Sequence, residues 1–352
     1  MAVRSVVLIA GLITAGGSTA LAQESEREGG GAASLELTDE VDLSAAPEDD
    51  EEQAAPWRGS EFVWRNVMSA ASLDPSYELT WNPYYAMAFT FRARWWFDDI
   101  FNVGARLDVT RELTQADDTT FIDEALLEDL VISAGASKFY TIPVAGIDLS
   151  ADLLLTTPTS KISQARTLVL GIGPGVSVGR TFDAIGPLRL SYHVRTTGLL
   201  HRYTTAERET PLIQGCGATE GGCDSFLNTG LRNVRFRVAH GVDVSWDPLE
   251  WFGVSVGFEH IVDWLHPIDG SDPRVTFETE PNTDERQRSA FGVELTFTPI
   301  SSWQIGLGYE TVSPQLKLDS TYENPFYNRY STVYLDLRLE FDGLVAELTG
   351  EG

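Results

Sequence analysis

The sequence predicts an all-β fold: an antiparallel up-and-down β-barrel of about twelve strands that spans a membrane. From Phe89 to Thr110, apolar and polar side chains alternate with a period of two on both sides of a break at Asp98-Asp99, as in a β-hairpin. The polar face carries arginines where a solvated surface would carry a mixture of Ser, Thr and Lys, and aromatic side chains crowd the break. Apolar-out, charged-in segments of about ten residues that end in aromatics are typical of transmembrane β-barrels.

The first 56 residues are predicted to lie outside the barrel. Residues 1–22 have the positive, apolar and small-residue regions of a secretory signal peptide, with cleavage after Ala22. Residues 23–56 hold twelve acidic residues, one arginine and no aromatic, so we expect a disordered acidic tail on the periplasmic side. The chain has a net charge of −27, which argues against binding to nucleic acid.

From Trp57 onward the pattern predicts one barrel over residues 57–341, followed by a short C-terminal tail at 342–352. Short connections rich in Asp, Pro, Gly and Ser alternate with long, acidic, polar connections, as at the two rims of a membrane barrel. Aromatics beside the short connections, Trp95 and Trp96 among them, predict an interfacial girdle. The predicted strands are 60–71, 86–97, 101–112, 126–139, 147–157, 167–182, 187–200, 232–246, 251–264, 288–298, 303–312 and 331–341.

The side chains that alternation places inside the barrel are mostly charged. They either set up a transverse field that orients polar solutes in a pore or pair across the lumen and fill it. Twelve strands ~4.8 Å apart and tilted ~40° give a backbone diameter of roughly 24 Å, which leaves about 10 Å or less between long side chains. The predicted pore-lining residues are Arg65, Arg92, Arg94, Arg106, Asp108, Asp152, Arg189, His193, Arg195, Arg235, Arg237, Asp243, Glu294, Asp336, Arg338 and Glu340, with Asp148 and Glu259 on the same face.

Residues 170–179 place four glycines and a serine on the inward face of one predicted strand. The absent side chains make room for neighbours or leave a groove in the wall. Pro174 cannot donate to the ladder, so we expect a bulge there. In the longest loop, Cys216 and Cys223 are predicted to form a disulfide, which is the default pairing in an exported chain.

A catalytic site is an alternative use of the same face. Ser191 and His193 lie two residues apart, and Asp243 on the next predicted strand could complete a hydrolase triad. A histidine beside Arg195 on a strand is more often a pore-lining or hydrogen-bonded residue. We therefore expect no enzymatic activity, no cofactor and no metal site.

The last predicted strand, VYLDLRLEF at 333–341, resembles the C-terminal assembly signal of bacterial outer-membrane β-barrel proteins. The resemblance is to this porin-like superfamily as a whole and covers about residues 57–341. It implies a location in the bacterial outer membrane. The partners it implies are outer-membrane lipid and lipopolysaccharide and the barrel-assembly machinery.

Three functions remain open from the sequence. The first is a narrow channel for small polar solutes, the second a non-conducting barrel that anchors surface loops for envelope integrity or partner binding, and the third a lipid-modifying enzyme. The acidic tail is either a solvated spacer or a segment that visits the arginine-lined mouth and lowers conductance. Its 34 residues reach ~110 Å when extended.

Overall fold

The computed structural model describes residues 55–73, 84–114, 123–183, 186–206, 232–267, 284–317 and 320–349. Both predicted N-terminal segments, apart from residues 55 and 56, and both cysteines lie outside these ranges. The strands are β1 Glu61–Ser69, β2 Tyr85–Trp96, β3 Phe101–Glu112, β4 Ala125–Leu127, β5 Leu130–Ile142, β6 Ile147–Thr157, β7 Leu168–Phe182, β8 Leu188–His201, β9 Val234–Leu249, β10 Phe252–Leu265, β11 Glu285–Ile300, β12 Trp303–Pro314 and β13 Thr332–Glu340. The helices are a 3₁₀ turn at Ala70–Leu73, α1 Lys161–Ala165 and α2 Phe341–Thr349.

The strands form one closed antiparallel sheet. Apart from β4 and β5, each strand pairs with the next along the chain, and β1 pairs with both β2 and β13, which closes the barrel. The short β4 and the longer β5 both pair with β3 and together fill one position in the wall, interrupted at Glu128 and Asp129. The described sheet therefore has twelve strand positions, and the predicted fold class is confirmed.

The barrel buries its polar side chains and exposes its apolar ones. Among the largest fully buried side chains are those of Glu259, Glu294 and Asn233. Outward-facing Phe91, Trp95 and other large apolar side chains are exposed around the wall. This is the reverse of a water-soluble protein, in which burial of apolar surface drives folding.

The two rims differ in the length of their connections. At the short-turn rim, β2 and β3 are joined by four residues, and Asp98 accepts hydrogen bonds from the backbone N–H groups of Ile100 (2.8 Å) and Phe101 (2.6 Å). These two bonds lower the pKa of the Asp98 carboxyl. The opposite end, the long-loop rim, carries the longer connections.

Two local predictions are wrong. The register of β7 against β6 is continuous through Pro174, and its register against β8 is the same before and after the proline, so no residue is inserted there. The irregularity in β7 lies between Leu168 and Leu170 instead. Trp96, counted in the girdle, faces inward and is 3% exposed, with its indole N–H donating to the Arg58 carbonyl at 3.1 Å.

Helix α2 occupies the segment for which the sequence predicts only a tail. It begins directly after β13 and lies on the turn between β11 and β12, where Glu347 accepts hydrogen bonds from the Ser301 hydroxyl (2.9 Å) and the Ser302 hydroxyl (2.8 Å). These bonds lower the pKa of Glu347. Within the described ranges, no helix is both long enough and apolar enough to cross a membrane.

Candidate functional site: the charged barrel interior

The structure brings most of the predicted pore-lining residues into the barrel interior. Nine are buried: Arg65, Arg106, Asp108, Arg189, His193, Arg195, Glu294, Asp336 and Arg338. Six are half-buried: Arg92, Arg94, Asp152, Arg237, Asp243 and Glu340. The remaining one, Arg235, is exposed.

Arg235 is displaced by an irregularity of the sheet. The register between β9 and β10 shifts at this point: Phe236 pairs with Trp264, whereas Val234 pairs with Leu265. The inserted residue is Arg235, so Val234 takes the inward position and joins a buried apolar cluster with Leu265. Arg235 is thus not part of the buried interior set.

The densest group of charges lies where the barrel closes. Arg65 on β1 donates two hydrogen bonds to Asp336 on β13 (2.9 and 2.8 Å) and lies 3.4 Å from Glu310 on β12. Arg338 on β13 pairs with Glu294 on β11 (2.7 Å) and with Asp336 (3.1 Å). We call these five residues the closure cluster. All five are less than 8% exposed, so each charge depends on its neighbours for compensation.

Glycines on β12 make room for the closure cluster. Gly308 lies directly between Tyr334 and Glu294 in the register, and the Tyr334 hydroxyl donates to Glu294 across it at 2.7 Å. A Cβ at Gly308 would lie 2.0 Å from the Tyr334 ring. The Arg65 guanidinium lies over that ring, 3.8 Å from the centroid. The tyrosine therefore contacts a glycine, a carboxylate and a cation of the same cluster.

The same arrangement, a glycine between two interacting side chains, recurs across β6, β7 and β8. Arg195 on β8 donates to Asp152 on β6 at 2.7 Å, and the residue between them in the register is Gly175 of β7. A Cβ at Gly175 would lie 2.5 Å from the Asp152 carboxylate. The glycines of residues 170–179 therefore make room for neighbouring side chains, one of the two alternatives that the sequence leaves open.

A third charged group joins β9, β10 and β11. Asp263 accepts hydrogen bonds from Arg237 on one neighbouring strand (2.6 and 3.2 Å) and from Arg288 on the other (2.8 Å). Sequence analysis missed Asp263 and Arg288, as it missed Glu310 of the closure cluster. The two-residue alternation places all three at inward positions and could have identified them. However, Arg288 begins its predicted strand, and Asp263 and Glu310 lie close to the ends of theirs.

His193 lies between two carboxylates. Its Nδ1 is 2.9 Å from Asp243 Oδ2 on β9, and its Nε2 is 4.0 Å from Glu259 Oε2 on β10. Gly241 separates His193 from Glu259 in the register and leaves space for the imidazole. The ring nitrogen that a catalytic serine would need faces Glu259, and Ser191 stands beside Asp243 in the register. The imidazole thus has one carboxylate on each side.

These ion pairs run along the wall. Each joins strands that are neighbours or are separated by one strand, so every partner lies on the same arc of the barrel. Acids and bases are intermixed in each group, so these groups do not show the transverse separation of charge that the sequence suggests. Glycine in the intervening strand lets a pair span two strands while lying close to the backbone.

Water reaches part of this interior. Asp243 lies midway along β9 and points inward, as its bond to His193 shows, yet its side chain is 32% exposed. His193 beside it is 10% exposed. Among the described residues, no group of three or more His, Cys, Asp or Glu side chains is arranged to hold a metal ion.

Comparison with known proteins supports the fold. No family model and no curated protein matches the chain. Among solved structures, an outer membrane channel of Pseudomonas putida F1 superposes with a TM-score of 0.51 at 12% identity, covering 84% of this chain and all of that one. The fold is that of an outer-membrane β-barrel.

Other solved barrels match this chain with TM-scores below 0.5. They include the outer membrane phospholipase dimer of Salmonella typhi (0.34, 10% identity, covering 84% of this chain and 94% of that one) and LpxR of Salmonella typhimurium (0.36, 10% identity, covering 79% and 99%). At these scores the matches carry no argument about fold or activity.

Proposed function

We propose that this protein is a narrow, passive channel for small polar solutes in the bacterial outer membrane. The observation that supports it is the water-exposed Asp243 carboxylate inside the wall, 32% exposed at mid-strand. A charged side chain at this position that meets water lies in an aqueous lumen.

The arrangement of the ion pairs supports the same function. Charges that pair along the wall, above glycines, offset the free-energy cost of removing each other from water. They do so without closing the space between opposite walls. The lumen that remains is about 10 Å or less for twelve strands. Size then selects small solutes, and the mixed charges favour polar ones.

This proposal includes a location in the outer membrane. It also includes outer-membrane lipid, lipopolysaccharide and the assembly machinery as partners. The large apolar side chains exposed around the outer wall and the fold support it. We also propose that the chain is not an enzyme, since the imidazole of His193 is engaged by Asp243 on one side and faces Glu259 on the other.

Conductance of the refolded, purified protein in a planar bilayer tests the channel. We expect small unitary steps and a preference for cations that Asp243→Asn reduces. A unit charge at ~4 Å in water contributes about 1 kcal/mol, which corresponds to a change of about fivefold in the permeability ratio. Asp99→Asn is the control: it removes the same charge from the short-turn rim, where the side chain is 75% exposed.

Two results would contradict the proposal. A barrel that inserts into the bilayer but gives no unitary steps is not a channel. Equal selectivity in the Asp243→Asn and Asp99→Asn variants would place the conducting path elsewhere.

A further inference from the structure

Between Phe236 and Trp246 on β9, and between Phe252 and Trp264 on β10, the outer face is apolar except for one histidine in each strand. His240 and His260 are half-buried and lie directly opposite each other in the register. Two strands therefore each place a single polar side chain at the same point of the outer wall. Their other outward residues are Phe236, Val238, Val242, Val244 and Trp246 on β9, and Phe252, Val254, Val256, Phe258, Val262 and Trp264 on β10.

The neighbouring strands extend this polar point into a row. The rings of His240 and His260 meet edge to face with their centroids 5.6 Å apart. On β8, Tyr192 is 42% exposed and its hydroxyl lies 3.5 Å from His240 Nδ1. On β11, Ser289 is the direct partner of His260. We call these four residues the wall site.

The depth of the wall site follows from the strand geometry. Phe236 and Trp264, an aromatic pair with centroids 5.7 Å apart, lie four residues toward the long-loop rim. Four residues span ~13 Å of strand, or ~10 Å of height at a tilt of ~40°. Phe252 lies eight residues toward the short-turn rim, or ~20 Å below. If the aromatics mark the headgroup layers, the wall site faces the hydrocarbon of the leaflet on the long-loop side.

Polar groups at that depth are costly unless they are hydrogen-bonded. Two neutral imidazoles carry two donors and two acceptors between them, and the 3.5 Å contact with Tyr192 engages one of these at most. The wall site therefore keeps capacity for an external group.

A residue of a loop covers the outer wall beside the wall site. Phe326, in the connection between β12 and β13, packs on the outside of the barrel against Phe258 (6.2 Å between centroids) and Phe291 (5.0 Å). Its carbonyl accepts a hydrogen bond from the Tyr309 hydroxyl at 2.5 Å, and its ring is 54% exposed. The outer wall beside the wall site is therefore uneven, which suits a single lipid better than the flat face of a second barrel.

We propose that Tyr192, His240 and His260 bind an oxygen-bearing group, a carbonyl or hydroxyl, in the acyl region of a lipid in the outer leaflet. The proposal rests on the membrane location proposed above but not on conductance. A lipid phosphate lies at the level of the aromatic pair, ~10 Å above the wall site, so the depth favours the acyl region. Neutral imidazole and phenol groups can donate to such oxygens within hydrocarbon.

Native mass spectrometry of the full chain tests the proposal. The refolded protein is loaded in parallel with an ester-linked phosphatidylethanolamine, with its ether-linked analogue, and with lipopolysaccharide bearing hydroxylated acyl chains. We compare wild type with His240→Val/His260→Val and with Tyr192→Phe, which removes only a hydroxyl. The control is Val242→Ala/Val262→Ala, at outward positions of the same strands.

We expect the wild type and the valine-to-alanine control to retain one lipid at least fivefold better than the histidine variant. Preference for the ester over the ether lipid in the wild type alone identifies a carbonyl, and preference for lipopolysaccharide in the wild type alone identifies a hydroxyl. Equal retention by wild type and histidine variant for all three lipids overturns the proposal. If the wild type forms a dimer and the histidine variant does not, the proposal is also overturned, because the wall site is then occupied by a second copy of the chain.

The failures of the two proposals are distinguishable. A barrel that retains lipid but does not conduct refutes the channel alone. A conducting barrel whose variants retain lipid equally refutes the wall site alone.

Discussion

Gly308 leaves the least room for a side chain among the glycines of the described interior, and it gives the most quantitative prediction. In Gly308→Ala the new methyl group would lie 2.0 Å from the Tyr334 ring and 2.3 Å from its hydroxyl, so the ring must move. Three contributions to the free energy of unfolding then change. Overpacking costs about 1–3 kcal/mol, the hydrogen bond to charged Glu294 about 1.5–3 kcal/mol, and the contact with Arg65 about 0.5–2 kcal/mol. With partial relaxation, we expect a loss of about 3–5 kcal/mol.

Urea unfolding of the refolded barrel in lipid vesicles, followed by tryptophan fluorescence, measures this loss. Gly198→Ala is the control, because a Cβ at Gly198 meets nothing within 4 Å; we expect it to lie within about 0.5 kcal/mol of wild type. In a Tyr334→Val background the ring is gone, and Gly308→Ala should cost less than about 1 kcal/mol. If Gly308→Ala unfolds at the same urea concentration as Gly198→Ala, the glycine does not make room for the tyrosine and the reasoning fails.

Three further predictions follow from single side chains. Asp336→Ala should destabilise the barrel by about 3–5 kcal/mol in urea, since it leaves the buried Arg65 without its closest carboxylate; a loss below 1 kcal/mol would mean that water enters the cluster. Ser191→Ala should leave conductance unchanged, and any phospholipid hydrolysis that it abolishes would restore the catalytic interpretation. Because its folded pKa is lowered, Glu347 stabilises helix α2 above its ordinary pKa of about 4.5, and that contribution disappears as the pH falls through the folded value. Protease cleavage of α2 should therefore increase in acid, but Glu347→Gln should be cleaved equally at each pH once protease activity is normalised.

The fold was readable from the sequence because strand alternation is a local property. A period of two assigns each residue to a face without reference to any other strand, and twelve such runs agreed. The same rule failed at Arg235, where one inserted residue reverses the parity. It also failed at Phe341, which fits the alternation but begins a helix.

The site was only partly readable, because pairing depends on register between strands. The sequence shows His193, Gly241 and Glu259 as three unconnected residues. Only the offset of neighbouring strands places the glycine between the other two and brings the imidazole to 4.0 Å from the carboxylate. Inward charges can thus be predicted, but their partners cannot.

Closure of the barrel has a consequence for the order of folding. Arg65 and Asp336 are direct partners in the ladder between β1 and β13 although 271 residues separate them, so joining them costs roughly 5 kcal/mol of chain entropy that no local contact repays. A slip of one residue would turn the whole strand inside out, and a slip of two would face Arg65 with Arg338 or with Tyr334 instead of the acid. The ion pair thus favours the native register at the seam over a barrel closed two residues out of register.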